Sequence, residues 1–272
     1  MNTPSEIIIS DPVPQLSDVD FSKGIIEDKK SYQKQLSHWQ KRLLAVQQAY
    51  FHQGRRVIIV LEGWDASGKG GLIRRITERL DPRGFRVYPI AAPSKEEQGR
   101  HYLYRFQKAL PPPGRIAIFD RSYFGRVLVE RVEGFASIAE WQRAYQEINE
   151  FERMLTDDGV RIIKAFIHIS KDEQLQRFRE RLDNPVKRWK LTEEDIRNRE
   201  KWAAYEQATN DMFQQTSTNH APWHLVNGNH KWYARVSALK GLVLLLERGV
   251  DTTPPPIEPD MVQWAKNQLG ME

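Results

Sequence analysis

The 272 residues carry 41 Lys and Arg against 36 Asp and Glu, a net charge of +5, with 40% hydrophobic residues and no cysteine. That length buries a sizeable core in one domain, and the missing thiols exclude disulfides, thiolate metal sites and cysteine nucleophiles. No apolar run approaches the ~20 residues that cross a bilayer, and residues 1–20 lack the basic-then-apolar order of a signal peptide, so a cytoplasmic protein without membrane contact is expected.

Residues 1–24, with Pro4, Pro12, Pro14 and Gly24, have no periodicity and read as a flexible or draped arm. Tyr32, Leu36, Trp39, Leu43, Val46 and Tyr50 then recur at helical spacing, and Gly54 supplies the C-cap. This stripe suits packing onto the chain's own sheet better than a dimer seam, for which three heptads are short. Val57 to Leu61 is an unbroken β-branched run, a strand buried on both faces. After it come the Gly63–Gly71 turn and a helix from Leu72. Val87–Ile90 is a second strand, and 96–110 is expected to be helical up to Pro111-Pro112-Pro113-Gly114. Ile116–Phe119 is a third strand ending on Asp120-Arg121. Capping boxes at Ser137–Glu140 and Ser170–Glu173 open helices either side of a fourth strand, Val160–Ile169. Pro185 interrupts the second of these helices. A further helix from Thr192 to Gln215, a fifth strand at Trp223–Val226 and a closing helix at Lys231–Glu247 follow, before a proline-rich tail with a short amphipathic end. The alternation predicts an α/β domain over 25–249 with a five-stranded parallel sheet flanked by helices, and a tail over 250–272. Its ligand belongs at the C-terminal strand ends.

The chemistry gathers at those ends. Strand, glycine turn with lysine, and helix form the context of a phosphate-binding loop. Gly63, Ala66, Ser67, Gly68 and Gly70 shape the cradle, and Lys69 supplies a full charge to a phosphate. Gly70 stands where a Ser or Thr would hold Mg²⁺, so metal ligands must come from carboxylates. Asp65 in the loop and Asp120 after the third strand are the candidates, for Mg²⁺ or Mn²⁺. Arg121, Arg126 and Arg131 could clamp phosphoryl oxygens, or pair ordinarily with Glu130 or Glu133. The 171–215 segment has the character of a lid, and Arg177, Arg181, Lys187 and Lys190 give it a basic face. A solvated surface balanced by Glu193, Glu194, Asp195 and Glu200 is the plainer account. The histidines show no metal spacing.

The motifs Glu62-Gly63-Trp64-Asp65-Ala66-Ser67-Gly68-Lys69-Gly70-Gly71, Phe119-Asp120-Arg121-Ser122-Tyr123, His168-Ile169-Ser170-Lys171-Asp172-Glu173-Gln174, Asp183-Asn184-Pro185-Val186-Lys187-Arg188-Trp189-Lys190 and Ala221-Pro222-Trp223 resemble, in order, the signatures of the second family of polyphosphate kinases. The resemblance implies a P-loop kinase fold with a helical lid and reversible Mg²⁺-dependent phosphoryl transfer between inorganic polyphosphate and AMP, ADP or ATP. It also implies a dimer or tetramer, no specific nucleic acid, and a polymer path along Arg177, Arg181, Lys187 and Lys190. Asp65 and Asp120 would hold the metal, with Lys69 and Arg121 at the reacting centre. Many members carry Asn where this chain has Gly125. With Arg143 to Glu152, that is more like the branch converting AMP to ADP, whose members are often two fused domains. An ATP-dependent nucleoside-monophosphate kinase of the thymidylate kinase type shares several of these features. A non-enzymatic polyanion binder would leave the paired acids without a purpose.

Overall fold

In the computed structural model, which describes residues 13–256 and 258–271, five parallel strands form one sheet in the order β2-β3-β1-β4-β5. These are β1 (Arg56–Gly63), β2 (Phe85–Pro89), β3 (Ile116–Asp120), β4 (Val160–His168) and β5 (Trp223–Asn227). Alternation along each strand feeds two cores. Val57, Ile59 and Leu61 face a cluster closed by α1 (Lys29–His52), α2 (Lys69–Thr77) and α9 (Lys231–Glu247). Ile58 and Val60 face the other, closed by α5 (Ile138–Asp157) and α8 (Trp202–Thr216). The α1 stripe is spent within the chain: Leu43, Val46 and Tyr50 are almost fully buried, and the Tyr50 hydroxyl donates to Leu246 O at 2.9 Å. Among the described residues, no helix is long and apolar enough to cross a membrane.

The register decides where the site can form. Leu61 pairs with Asp120, Gly63 with Ile167, and His168 with Asn227. The ends of β1, β3, β4 and β5 are therefore level, and the chain leaves β1 for β2 and β3 on one side before crossing to β4 on the other. That reversal opens the crevice at the glycine loop.

Three local expectations change, and a fourth is narrowed. Only α3 (Tyr104–Gln107) forms within 96–110, because Gly99 sits at φ +74° and ends the turn that Ser94 and Glu97 begin. The helix expected over 192–215 divides into α7 (Glu193–Glu200) and α8 at Lys201, where ψ is 24° and the lysine reaches Glu133 at 2.9 Å. Of the segment predicted as a lid, α8 turns back into the body, with Ala208, Met212 and Phe213 in the core. Residues 13–24 of the predicted arm are draped, with Leu16 2% exposed in the core, while residues 1–12 lie outside the described residues. Past β3, a 3-10 turn at Tyr123–Arg126 and α4 (Val129–Val132) carry the chain to α5. After α9, the tail ends in a three-turn helix, α10 (Pro259–Leu269).

One buried ion pair braces the floor of the site. Lys164 and Glu152, both fully inaccessible, meet at 2.6 Å. The ammonium also donates to Thr216 O, and the other carboxylate oxygen accepts from Tyr123, three residues past Asp120. Burial pushes the Glu152 carboxyl up and the Lys164 ammonium down, each opposed by the other's charge. Lys164→Met should cost about 3–5 kcal/mol, because it strands a buried carboxylate. Urea unfolding measures the loss, and adding Glu152→Gln should recover part of it. A loss under about 1 kcal/mol would show that the pair contributes no more than a surface one.

Candidate active site

The loop between β1 and α2 takes its shape from glycine where the backbone leaves no choice. Gly63 lies at φ +145°, and a Cβ there would stand 2.5 Å from Ile167 O; Gly68, capping α2, lies at φ +112°. Gly70 is different. A Cβ there meets nothing within 4 Å, so its space opens into the cleft and no packing demands glycine. Two non-glycine residues also adopt left-handed backbone, Ala66 at φ 61° and Arg121 at φ 64°. Such residues cluster where a site over-determines the chain.

Around this loop the predicted centre assembles. Lys69 folds over it, its ammonium donating to Gly63 O at 2.6 Å and Trp64 O at 3.2 Å. Burial lowers its pKa, opposed by Asp65 and Asp120. Arg121 reaches Asp65 at 3.1 Å and Glu194 at 3.6 Å. Asn198 of α7 donates to the other Asp65 oxygen at 2.8 Å. Beneath them Glu62 is 5% exposed and accepts from the Ser122 hydroxyl at 2.8 Å; burial raises its pKa against the charge of Lys69. The Asp120 side chain, half-buried, has no hydrogen bond or ion pair with any described residue.

That free carboxylate is the observation that fits a divalent cation. Among the described residues no cluster of three or more His, Cys, Asp or Glu could enclose a metal. One or two carboxylates, completed by substrate phosphates and water, are what Mg²⁺ normally accepts.

Two cavities open on either side. One is a cleft of about 650 Å³ above the loop, where Asp120, Arg181, Lys187 and Lys190 all lie on the wall. The other is a small apolar pocket beside Asp65 and Arg121, lined by Trp64, Gly125, Leu128, Val129, Phe166 and Tyr205. Trp64 stacks on Trp202 of α8 at 3.7 Å and 3°. Its indole N–H donates to His168 Nδ1 at 2.7 Å, and burial holds that imidazole down to about 4, so it stays neutral.

Three predicted arginines are committed elsewhere. Arg126 pairs with Glu130 at 3.0 Å and lies over the Tyr102 ring. Arg131 pairs with Asp211 at 2.8 Å and lies over Trp141. Neither lines the cleft. Arg177, on α6 (Lys171–Asp183), is 4% exposed and spends all five donors: on Glu173 Oε1, on Ala66 O and Ser67 O, and on Gly228 O and Asn229 O. It edges the cleft, but as a clamp joining α6, the phosphate loop and the β5–α9 turn. The predicted Ser170–Glu173 box is half-formed for the same reason. Glu173 turns to Arg177, and the Ser170 N–H goes to Asn229 Oδ1. Arg177→Lys should lower stability by about 2–4 kcal/mol, because a single ammonium cannot reach acceptors on both loops. Thermal and urea unfolding would register it. Weakened polyanion binding at unchanged stability would return Arg177 to the polymer path.

Sequence reasoning missed Asn198, and also Lys231 and Arg235, which line the cleft from α9. For the last two a signal existed: they are i and i+4 in the helix that leaves β5, at the strand end where ligands bind.

The family model for polyphosphate kinase 2 matches residues 26–252. A polyphosphate:AMP phosphotransferase of Pseudomonas aeruginosa is 48% identical over 213 residues, 78% of this chain and 43% of that protein. An AMP/ADP-polyphosphate phosphotransferase of Meiothermus ruber is 39% identical over 235 residues, 84% of this chain and 88% of its own length. The crystal structure of polyphosphate kinase 2 from Arthrobacter aurescens superposes with a TM-score of 0.89 at 33% identity, over 98% of this chain and 97% of that one. The chain spans less than half the length of the polyphosphate:AMP phosphotransferases it matches.

Proposed function

The chain belongs to the polyphosphate kinase 2 family, and from that premise we propose that it moves a phosphoryl group reversibly between inorganic polyphosphate and a nucleotide, with AMP as the acceptor and ADP as the product. One observation carries the reading: the acid-flanked loop separates a cationic cleft suited to a phosphate chain from an apolar pocket suited to a nucleoside. The names of the relatives, which include AMP, ADP and GDP transferases, support the reaction class. Gly125, whose Cβ position is open apart from Val129 at 3.7 Å, leaves the nucleoside pocket unobstructed.

In this mechanism an oxygen of the acceptor phosphate attacks the terminal phosphorus of the chain, and the bridging P–O bond to the next phosphate breaks. The polymer leaves one phosphate shorter. Loop amides and Lys69 hold the transferring group, and Arg121 neutralises the charge that grows on its oxygens. Asp65 and Asp120 would hold Mg²⁺, which would supply further charge neutralisation for the phosphates. Arg181, Lys187 and Lys190 guide the chain, and α6 and α7 act as a lid that excludes water. Action in the cytoplasm, as an oligomer, belongs to the same proposal.

The test is chromatographic. Purified protein and Mg²⁺ receive AMP or ADP separately, with polyphosphate or ATP as donor. Polyphosphate-dependent ADP from AMP is the expected result. Faster ATP formation from ADP would reassign the acceptor. Transfer from ATP with polyphosphate inert would identify a nucleoside-monophosphate kinase instead.

A further inference from the structure

Arg235 is a cation without an anion. It is half-buried in the second turn of α9, its guanidinium lies 3.4 Å from where a Cβ on Gly71 would stand, and it has no hydrogen bond or ion pair with any described residue. Its charged neighbour is Arg177, whose donors are all spent. Lys231, one turn earlier, meets Glu180 at 2.8 Å, but that pair is more than two-fifths exposed and weak. Both cations sit near the N-terminus of a 17-residue helix, where the macrodipole already disfavours positive charge. A cation as weakly partnered as Arg235 persists in such a place when something negative arrives to bind it.

A cavity marks where it would lie. Behind the glycine loop is a space of about 80 Å³ lined by Ser67, Gly68, Leu72, Arg177, Lys231 and Arg235. It shares Gly68, Arg177, Lys231 and Arg235 with the wall of the main cleft, so the two are continuous. Ser67 is 3% exposed and its hydroxyl has no partner, although buried hydroxyls are normally satisfied.

We propose that Arg235, Lys231 and the Ser67 hydroxyl form a phosphate subsite on the α9 side of the loop, holding phosphates of the donor chain beyond those at the reacting centre. This rests on the polyphosphate reading, and it gives the donor a path past α9 as well as along the 187–190 turn. The loop amides and Lys69 engage the first phosphates, so a long chain gains from the subsite and a three-phosphate donor does not.

The experiment measures binding by calorimetry, with long-chain polyphosphate, tripolyphosphate and orthophosphate as probes, on the full chain and on Arg235→Gln and Lys231→Gln. Arg235→Gln should weaken long-chain binding roughly tenfold and flatten its salt dependence. Tripolyphosphate should change less than twofold, and the thermal midpoint should not fall. Lys231→Gln, at an exposed position, should shift the long chain in the same direction by less. Unchanged long-chain binding, or equal losses for long and short chains, would overturn the subsite. Saturable orthophosphate binding that disappears in Arg235→Gln would make it a free-phosphate site instead. If the wild type binds polyphosphate without transferring from it, the proposed reaction fails while these binding comparisons still judge the subsite.

Discussion

Lys69→Ala should lower kcat/KM for phosphoryl transfer by about a thousandfold, or about 4 kcal/mol of transition-state stabilisation, while the protein stays folded. Lys69 makes only two local bonds, to the carbonyls of Gly63 and Trp64, and burial already disfavours its charge. Removing the ammonium therefore takes little from the fold. What is lost is the one cation of the loop, which interacts with Asp65, Asp120 and Arg121 where the proposed reaction places the transferring phosphate. Lys69→Arg should not restore activity, because a planar fork cannot follow the same arc over the loop. Stopped assays with polyphosphate and AMP, with a thermal midpoint alongside, decide the matter. Activity within tenfold of wild type would remove Lys69 from the reacting centre.

Sequence reasoning succeeded where the causes were local. The β1 and β3 runs, Val57–Leu61 and Ile116–Phe119, are continuous and apolar because both faces are covered. The α9 bounds, Lys231–Glu247, match the expected ones. The placing of Asp65, Lys69, Asp120 and Arg121 at level strand ends followed from the parallel alternation alone. It failed where the deciding partner was distant or made of backbone. The helix expected over 96–110 was bounded by the stop at Pro111-Pro112-Pro113-Gly114, and one left-handed glycine inside it undid most of it. Arg131 answers to Asp211, far along the chain. Arg177 has the right sequence for a polymer contact, but main-chain carbonyls from two other loops claim four of its five donors. No residue type encodes those acceptors. The division of α7 from α8 has the same origin, since Glu133 draws Arg197 of α7 and Lys201 at the break itself.

Asp65 and Asp120 are the same side chain in one site, yet they should respond differently to loss of charge. Both oxygens of Asp65 are engaged, by Arg121 and Asn198, so Asp65→Asn would lose structural bonds together with any metal. The Asp120 side chain has no hydrogen bond or ion pair among the described residues. Its charge is held ready beside Lys69 and Arg121, and no hydrogen bond among the described residues depends on it. Asp120→Asn should therefore leave the thermal midpoint unchanged within a few degrees. It should still cut transfer by about a thousandfold and raise the Mg²⁺ concentration needed for what remains. A magnesium titration of residual activity, run beside thermal unfolding in the absence of metal, separates the two effects. Near-normal turnover at an unchanged Mg²⁺ requirement would take Asp120 out of the metal site. A fall in thermal midpoint as large as that of Asp65→Asn would make it a structural acid. The expected combination, a dead enzyme as stable as its parent, is what a carboxylate with no side-chain hydrogen bond or ion pair among the described residues should produce.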